Sequence, residues 1–361
     1  MSEQRPSEQR AEIGRLGLSG QLSEKLRGVG LDPADVARVV EMGLAEDLSG
    51  GPDVTTEATI APAMLGKAEL VARATGIIAG LPVAEAVFEL VGTADVPGGS
   101  VPAPPGAAVG PGHAGSGLRA VARCHDGDRV TAGQVLMTVE GPLGAILTAE
   151  RTALNLLCHM SGTATRTRQW VDAVAGTGAR IRDTRKTLPG LRALEKYAVR
   201  CGGGFSHRMS LSDAALIKDN HVAAAGSVGA AFAAVRAALA QPTRSGTASA
   251  TPTTSTQSGP AAQLPIEVEC DTLDQVAEAV AAGADLILLD NFGTDELARA
   301  VRFVAGRALL EASGGLRLEA AAQVAESGVN FLAVGALTHS APALDIGLDV
   351  VSRIDVTSMS P

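Results

Sequence analysis

Six short apolar runs in the second half of this 361-residue chain each run into a polar or small-residue motif, and helical stretches separate most of them. Ile181-Arg182-Asp183-Thr184 leads into Arg185-Lys186-Thr187, and Ala214 to Ile217 leads into Lys218-Asp219-Asn220-His221. Ile266-Glu267-Val268 ends at Glu269, and Leu286 to Leu289 ends at Asp290-Asn291. Leu309-Leu310 runs into Glu311-Ala312-Ser313-Gly314-Gly315, and Phe331 to Val334 runs into Gly335-Ala336. Strand–helix alternation at this spacing argues for parallel strands. An α/β barrel puts the C-terminal ends of its strands on one face, where the active sites of such barrels lie. The motifs are therefore expected in one pocket, cationic on one side, acidic on another, and small and Gly-rich on a third. An incomplete barrel accommodates six strands as well as a full eight-stranded one does.

The intervening helices are well marked. Asp271 is expected to cap a helix with Leu273, Val276 and Val280 inward. Thr294 opens another, with Leu297, Val301 and Val304 inward, and a third runs from Leu318 to Glu326. Upstream, Asp32 caps a helix with Pro33 at its first position and Val36, Val39, Val40 and Leu44 on one face. Residues 66–80 and Gly133 to Val139 read as strands, and Pro82 to Val91 as a helix. The fold class expected is α/β: a small α/β N-terminal domain over 31–150, then a barrel domain over 151–343. A helix from about Leu147 to Met160, continuing through 165–175, joins them, and residues 344–361 return toward the N-terminal domain. Residues 1–30 read as a polar, poorly ordered extension with at most a short helix. Residues 92–117 read as a flexible Gly/Pro/Ala-rich insertion. Residues 241–263 are Ser/Thr/Gly/Pro-rich and read as a disordered surface loop.

Composition narrows the function. Apolar residues make up 46% of the chain but aromatics only 2%, so the core is built from Ala, Val and Leu. Lys and Arg number 30 against 39 Asp and Glu, with no basic stripe or stacking platform, which argues against nucleic acid. No apolar stretch reaches the length of a membrane span, and the N-terminus lacks the apolar core of a secretory signal. Four widely spaced cysteines match no zinc pattern or disulfide framework. A cytoplasmic enzyme of small anionic substrates is the expectation.

The motifs carry specific chemistry. Arg185 and Lys186 at one strand end, His207-Arg208, and Lys218 form a cation set. A unit pair about 4 Å apart is worth roughly 4 kcal/mol at an effective dielectric of about 20, so these groups need a multiply charged ligand to balance them. Solvated surface cations are the bland alternative for any one of them, and His207 alone could be structural. Glu269 and Asp290 can hold ribose hydroxyls or a Mg²⁺ ion, or can cap the next helix. Ser313-Gly314-Gly315 and Gly335-Ala336 follow the last two strands, where barrel phosphate sites form from backbone N–H groups. Arg151 alone reads as a surface ion-pair partner of Glu150. Lys186 and Lys218 could in principle form Schiff bases.

These residues, together with Asp53-Val54-Thr55-Thr56, Glu150 to Asn155, Ser161 to Thr165, Lys196 to Val199, Gly202 to Gly204 and Asp345-Ile346-Gly347, resemble the quinolinate phosphoribosyltransferase family collinearly over roughly 33–353. The resemblance implies an α/β N-terminal domain, an incomplete, mostly parallel TIM-like barrel, and a homodimer whose sites are completed by the neighbouring subunit. The position matching Arg151 is the arginine that reaches across. Those matching Arg185, Lys186, His207, Arg208 and Lys218, with Thr184 beside them, surround quinolinate and nearby phosphates. Glu269 and Asp290 match residues facing the ribose of phosphoribosyl pyrophosphate and its Mg²⁺, directly or through substrate and water. Ser313, Gly314, Gly335 and Ala336 match the 5′-phosphate site. Lys186, Lys218, Glu269 and Asp290 are the candidates for chemistry. The products implied are nicotinate mononucleotide, pyrophosphate and CO₂, in NAD biosynthesis. The competing readings are a phosphoribosyltransferase acting on another aromatic acid such as nicotinate, a Schiff-base barrel lyase, and a non-catalytic binding paralogue.

Overall fold

The structure of the protein is a computed structural model that describes residues 17–93, 117–240 and 264–355. Along the chain come α1 (Gly20–Gly28), α2 (Pro33–Leu48), α3 (Val54–Thr59), β1 (Met64–Ala72), β2 (Gly76–Ile77), α4 (Leu81–Thr93), β3 (Arg119–Ala122), β4 (Arg129–Val130), β5 (Val135–Pro142) and α5 (Leu143–Ala173). There follow β6 (Arg180–Arg182), α6 (Arg192–Cys201), β7 (Ala215–Ile217), α7 (Asp219–Ala225), α8 (Val228–Ala240), β8 (Ile266–Cys270), α9 (Leu273–Ala282), β9 (Leu286–Asp290) and α10 (Thr294–Val304). The chain ends with β10 (Leu309–Ser313), α11 (Ala321–Glu326), β11 (Phe331–Ala333), α12 (Ala336–His339) and β12 (Ile346–Asp355).

These residues form two compact units. The first takes the described residues up to Thr165, Ala193–Cys201, and those from Ala341 onward. Its main sheet is antiparallel where paired, in the order β12-β1-β5-β3. Helix α4 is buried along most of its length, with Val83, Val87, Phe88 and Leu90 inside. Its start is held by Asp126, whose carboxylate accepts the N–H groups of Gly80 and Leu81 (2.9 and 3.0 Å) and the Tyr197 hydroxyl (2.6 Å). The Ser161-to-Thr165 motif is structural. Ser161 Oγ accepts from the Ala79 N–H and Thr165 Oγ1 from the Ile77 N–H. Gly162 is required because a Cβ there would lie 2.2 Å from the Pro342 carbonyl oxygen.

The second unit contains the six-stranded sheet β6-β11-β10-β9-β8-β7, parallel at every pairing. The first two strands in sequence stand at its two ends, and a parallel bridge from Arg182 to Phe205 extends the β6 side. This is the incomplete barrel expected. Ile181, Ile217, Val268, Ile287, Leu289, Leu310 and Leu332 are buried on one face of the strands. The other face, at alternate positions, carries Arg182, Glu267, Glu269, Asp290, Glu311 and Ser313.

The short helix allowed in the N-terminal extension is α1: Ser19 Oγ accepts from the Leu22 N–H, and Leu22 and Leu26, one turn apart, are buried. Two expectations need correcting. Thr272, not Asp271, caps α9, in a reciprocal bond with Gln275 that closes two otherwise open backbone donors. The helix expected from Leu318 begins as a 3-10 turn, Leu318–Ala320, before α11. Residues 1–16 of the extension, 94–116 of the first insertion, and the whole 241–263 loop lie outside the described residues. Among the described residues no single helix is long and apolar enough to cross a membrane.

Candidate active site

The site grows from the strand ends of the second unit. After β6 the chain turns at Thr184, whose Oγ1 accepts the Lys186 N–H at 3.0 Å. After β11, Gly335 leaves room for that turn: a Cβ there would lie 3.0 Å from Lys186 Cδ, 3.3 Å from His339 Nε2 and 3.4 Å from Thr184 Oγ1. Thr338 Oγ1 donates to the Lys186 carbonyl (2.7 Å). Because β6 pairs with β11, motifs more than a hundred residues apart in sequence meet here. Gly335 and Ala336 lie at the start of the four-residue α12.

Asp183, fully buried, accepts the His207 backbone N–H at 2.8 Å and fixes the segment that carries Arg208. Arg208 Nη1 donates to the Ala214 carbonyl (2.9 Å). Burial and the neighbouring charge of Arg185 lower the Arg208 pKa below its ordinary value, against the opposing pull of Glu267 and Asp213. The Nε atoms of both Arg185 and Arg208 are buried and have no hydrogen-bond acceptor among the described residues. Two guanidinium groups that repel one another and keep buried donors unsatisfied form a receptor for an anion.

Lys218 precedes α7 and ion-pairs through Nζ with Glu269 at the end of β8. Asp290 ends β9, and its Oδ2 accepts from Asn291 Nδ2 at 2.7 Å. Asn291 stands in the left-handed region (φ 59°) and donates its N–H to the Ser313 carbonyl (3.0 Å). Gly314 (φ 87°) makes that possible, since a Cβ on it would sit 2.3 Å from Asn291 Oδ1. The carboxylate of Asp290 and the turn at Ser313-Gly314 are thus parts of one construction. Glu269 and Asp290 are oxygen donors at the ends of neighbouring strands, a donor set of the kind Mg²⁺ accepts.

Arg151 belongs to the first unit, where its exposed guanidinium lies 4.0 Å from Glu150. One expected residue is placed differently. His207, expected as a cation lining the pocket, is 8% exposed, with Nε2 turned to Glu267 Oε2 at 2.8 Å and Glu311 Oε1 at 3.5 Å. Glu311 also pairs with Arg182. Arg182, Glu267 and Glu311 are site residues that the sequence motifs do not single out. The signal lies in the alternation of β8 and β10, which sets Glu267 with Glu269 and Glu311 with Ser313 on one face.

Burial, then the charge of Glu267, pushes Glu311 up to about 7 from an ordinary 4.5, with the Arg182 guanidinium opposing. The folded state therefore binds a proton that the unfolded chain releases, so this group makes stability fall as pH rises between about 4.5 and 7. Thermal midpoints across that window are expected to drop more steeply in the wild type than in Glu311→Gln. Parallel slopes would contradict the assignment.

Cations, a carboxylate pair and two small-residue turns at the strand ends of a parallel barrel suit an anionic substrate that carries phosphates or carboxylates. Family models for the C-terminal and N-terminal domains of quinolinate phosphoribosyl transferase match residues 163–247 with 245–349, and 53–161. The chain belongs to the quinolinate phosphoribosyltransferase family. It is 48% identical to the carboxylating nicotinate-nucleotide pyrophosphorylase of Mycobacterium leprae, covering 88% of this chain and 98% of that one. A probable enzyme of the same name from Bacillus subtilis is 36% identical, over 84% and 90% of the two chains. The crystal structure of NadC from Streptococcus pyogenes superposes with a TM-score of 0.73 at 33% identity, covering 89% and 99%.

Proposed function

We propose that Arg185, Lys186 and Arg208 hold the two carboxylates of quinolinate while Glu269, Asp290 and the Ser313-Gly314 and Gly335-Ala336 turns hold phosphoribosyl pyrophosphate. The protein is a pentosyltransferase of NAD biosynthesis that converts quinolinate to nicotinate mononucleotide with loss of CO₂. The observation that carries the assignment of substrate to residues is the pair of buried, unsatisfied guanidinium Nε atoms of Arg185 and Arg208. A dicarboxylate satisfies both, through charge-assisted bonds worth about 1.5–3 kcal/mol each.

The residues then orient and neutralise. The quinolinate ring nitrogen is directed at the anomeric carbon, and positive charge develops on the ribose as pyrophosphate leaves. Glu269 and Asp290 stabilise that charge electrostatically. Glu269 and Asp290 would hold Mg²⁺, directly or through water, and it would neutralise charge on the pyrophosphate. Once ribosylated, the ring nitrogen is cationic and stabilises the carbanion left when CO₂ departs, and that carbon then takes a proton from solvent to give nicotinate mononucleotide. No protein nucleophile is needed, and the Lys218 ammonium is engaged by Glu269, which speaks against a Schiff base.

The test is incubation of the purified protein with quinolinate, phosphoribosyl pyrophosphate and Mg²⁺, following nicotinate mononucleotide and CO₂. Equal amounts of both, absent with nicotinate, are expected. A folded protein that makes neither sinks the reading.

We also place the enzyme in the cytoplasm as a homodimer in which Arg151 of one subunit completes the site of the other. Arg151→Ala and Lys186→Ala are each expected to be nearly inactive alone. Mixed dimers regain activity, because one of the two sites then carries no substitution. Mixing without any recovery, after subunit exchange has been demonstrated, rules this out.

A further inference from the structure

Beneath the strand ends, Arg182, His207, Glu267 and Glu311 form a buried cluster. Three of them could supply metal ligands, with His207, Glu267 and Glu311 offering atoms within 4.8 Å of one another. The hydrogen bonding of the ring decides against that. The backbone N–H of Arg208 donates to His207 Nδ1 at 2.8 Å. An N–H only donates, so Nδ1 carries no proton, the imidazole is neutral, and its single proton sits on Nε2. Nε2 lies 2.8 Å from Glu267 Oε2, and a protonated nitrogen has no lone pair for a metal. The cluster is a hydrogen-bond relay that ends on the backbone of Arg208.

We propose that Glu267 is a positioning residue for Arg208: by accepting Nε2–H it holds the His207 tautomer whose Nδ1 anchors the Arg208 backbone, and so aims the guanidinium at a substrate carboxylate. The proposal rests on the functional reading above. Three observations converge on it. Arg208 is held at both ends, its backbone by His207 and its Nη1 by the Ala214 carbonyl, while its Nε stays buried and unbonded. The His207 backbone is pinned by Asp183, leaving the ring little freedom to turn. Glu267 is 3% exposed, its Oε1 has no hydrogen-bond partner among the described residues, and its Oε2 lies 2.8 Å from His207 Nε2, the contact that orients it. Arg182 takes Glu311 Oε2, and Glu311 Oε1 is 3.5 Å from His207 Nε2 against 2.8 Å for Glu267 Oε2, so Glu267 is the nearer acceptor for the ring proton.

The experiment varies quinolinate and phosphoribosyl pyrophosphate separately for the wild type, Glu267→Ala, Glu267→Gln, His207→Asn, His207→Leu and the double variant His207→Asn with Glu267→Ala. Glu267→Ala is expected to raise the quinolinate KM about tenfold and to leave the phosphoribosyl pyrophosphate KM within about twofold. Glu267→Gln, whose amide oxygen still accepts from Nε2–H, recovers most of the loss. In His207→Asn the new amide oxygen can replace Nδ1 as the acceptor, but the side chain is too short to reach Glu267. Adding Glu267→Ala to that variant therefore changes the quinolinate KM no further. Equal rises in both KM values, a loss that Gln does not repair, or additive effects in the double variant each overturn the proposal. If Glu267→Ala does not fold, the two His207 variants decide: His207→Asn must keep the quinolinate KM closer to wild type than His207→Leu does, and equal values overturn it. A wild type that releases no CO₂ would instead bring down the functional reading, which these comparisons presuppose.

Discussion

Replacing Arg208 with Ala is expected to cut kcat/KM for quinolinate by about a hundredfold to a thousandfold, with the phosphoribosyl pyrophosphate KM nearly unchanged. Truncating one partner of a buried, hydrogen-bonded charge pair costs about 2–5 kcal/mol, because the other charge is left desolvated and alone. Here the stranded group is a substrate carboxylate. The same substitution should leave the free protein as stable as before, or more so. In the empty site Arg208 faces the like charge of Arg185, and burial already disfavours its charged form. Stability and activity thus move in opposite directions, as expected where a binding site stores unfavourable electrostatics. Arg208→Lys should recover little, since an ammonium cannot reproduce the fixed fork of donors. Steady-state kinetics and thermal unfolding of the two variants check this. An Arg208→Ala protein with a normal quinolinate KM, or one that loses stability along with activity, would place the carboxylate elsewhere.

The strand ends are legible in the sequence because one face of each barrel strand is apolar. Ile181, Ile217, Val268, Ile287 and Leu310 make short runs, and the polar residue that ends each run marks the mouth of the sheet. The layer below the mouth is not legible. Glu267 and Glu311 interrupt apolar runs as Glu269 and Asp290 end them, and residue type does not separate the two cases. That distinction needs the pairing order, which puts β8 and β10 either side of β9 and β6 beyond β11, so that three distant strands share one interior. Residue type makes a cation of His207, whereas its protonation is fixed by a neighbour's backbone N–H. Two leucines one turn apart, Leu22 and Leu26, mark the short helix α1 in an otherwise polar extension. The backbone role of Asn291 depends on a positive φ that no motif announces.

Glu269 should show a different kinetic signature. Glu269→Ala is expected to lower kcat on the order of a hundredfold to a thousandfold, the range lost when an electrostatic stabiliser of a transition state is removed. The quinolinate KM should move far less than in Arg208→Ala. Glu269 has two candidate tasks, however. It pairs with Lys218, and its side chain is 12% exposed against 45% for that lysine, so removing it leaves a partly buried ammonium without its partner. Glu269→Gln separates charge from hydrogen bonding, since the amide still accepts from Lys218 or a ribose hydroxyl but carries no charge. We expect Gln to be nearly as slow as Ala. A Glu269→Gln enzyme that keeps most of its kcat would assign Glu269 to holding Lys218 in place and leave Asp290 as the carboxylate facing the ribose.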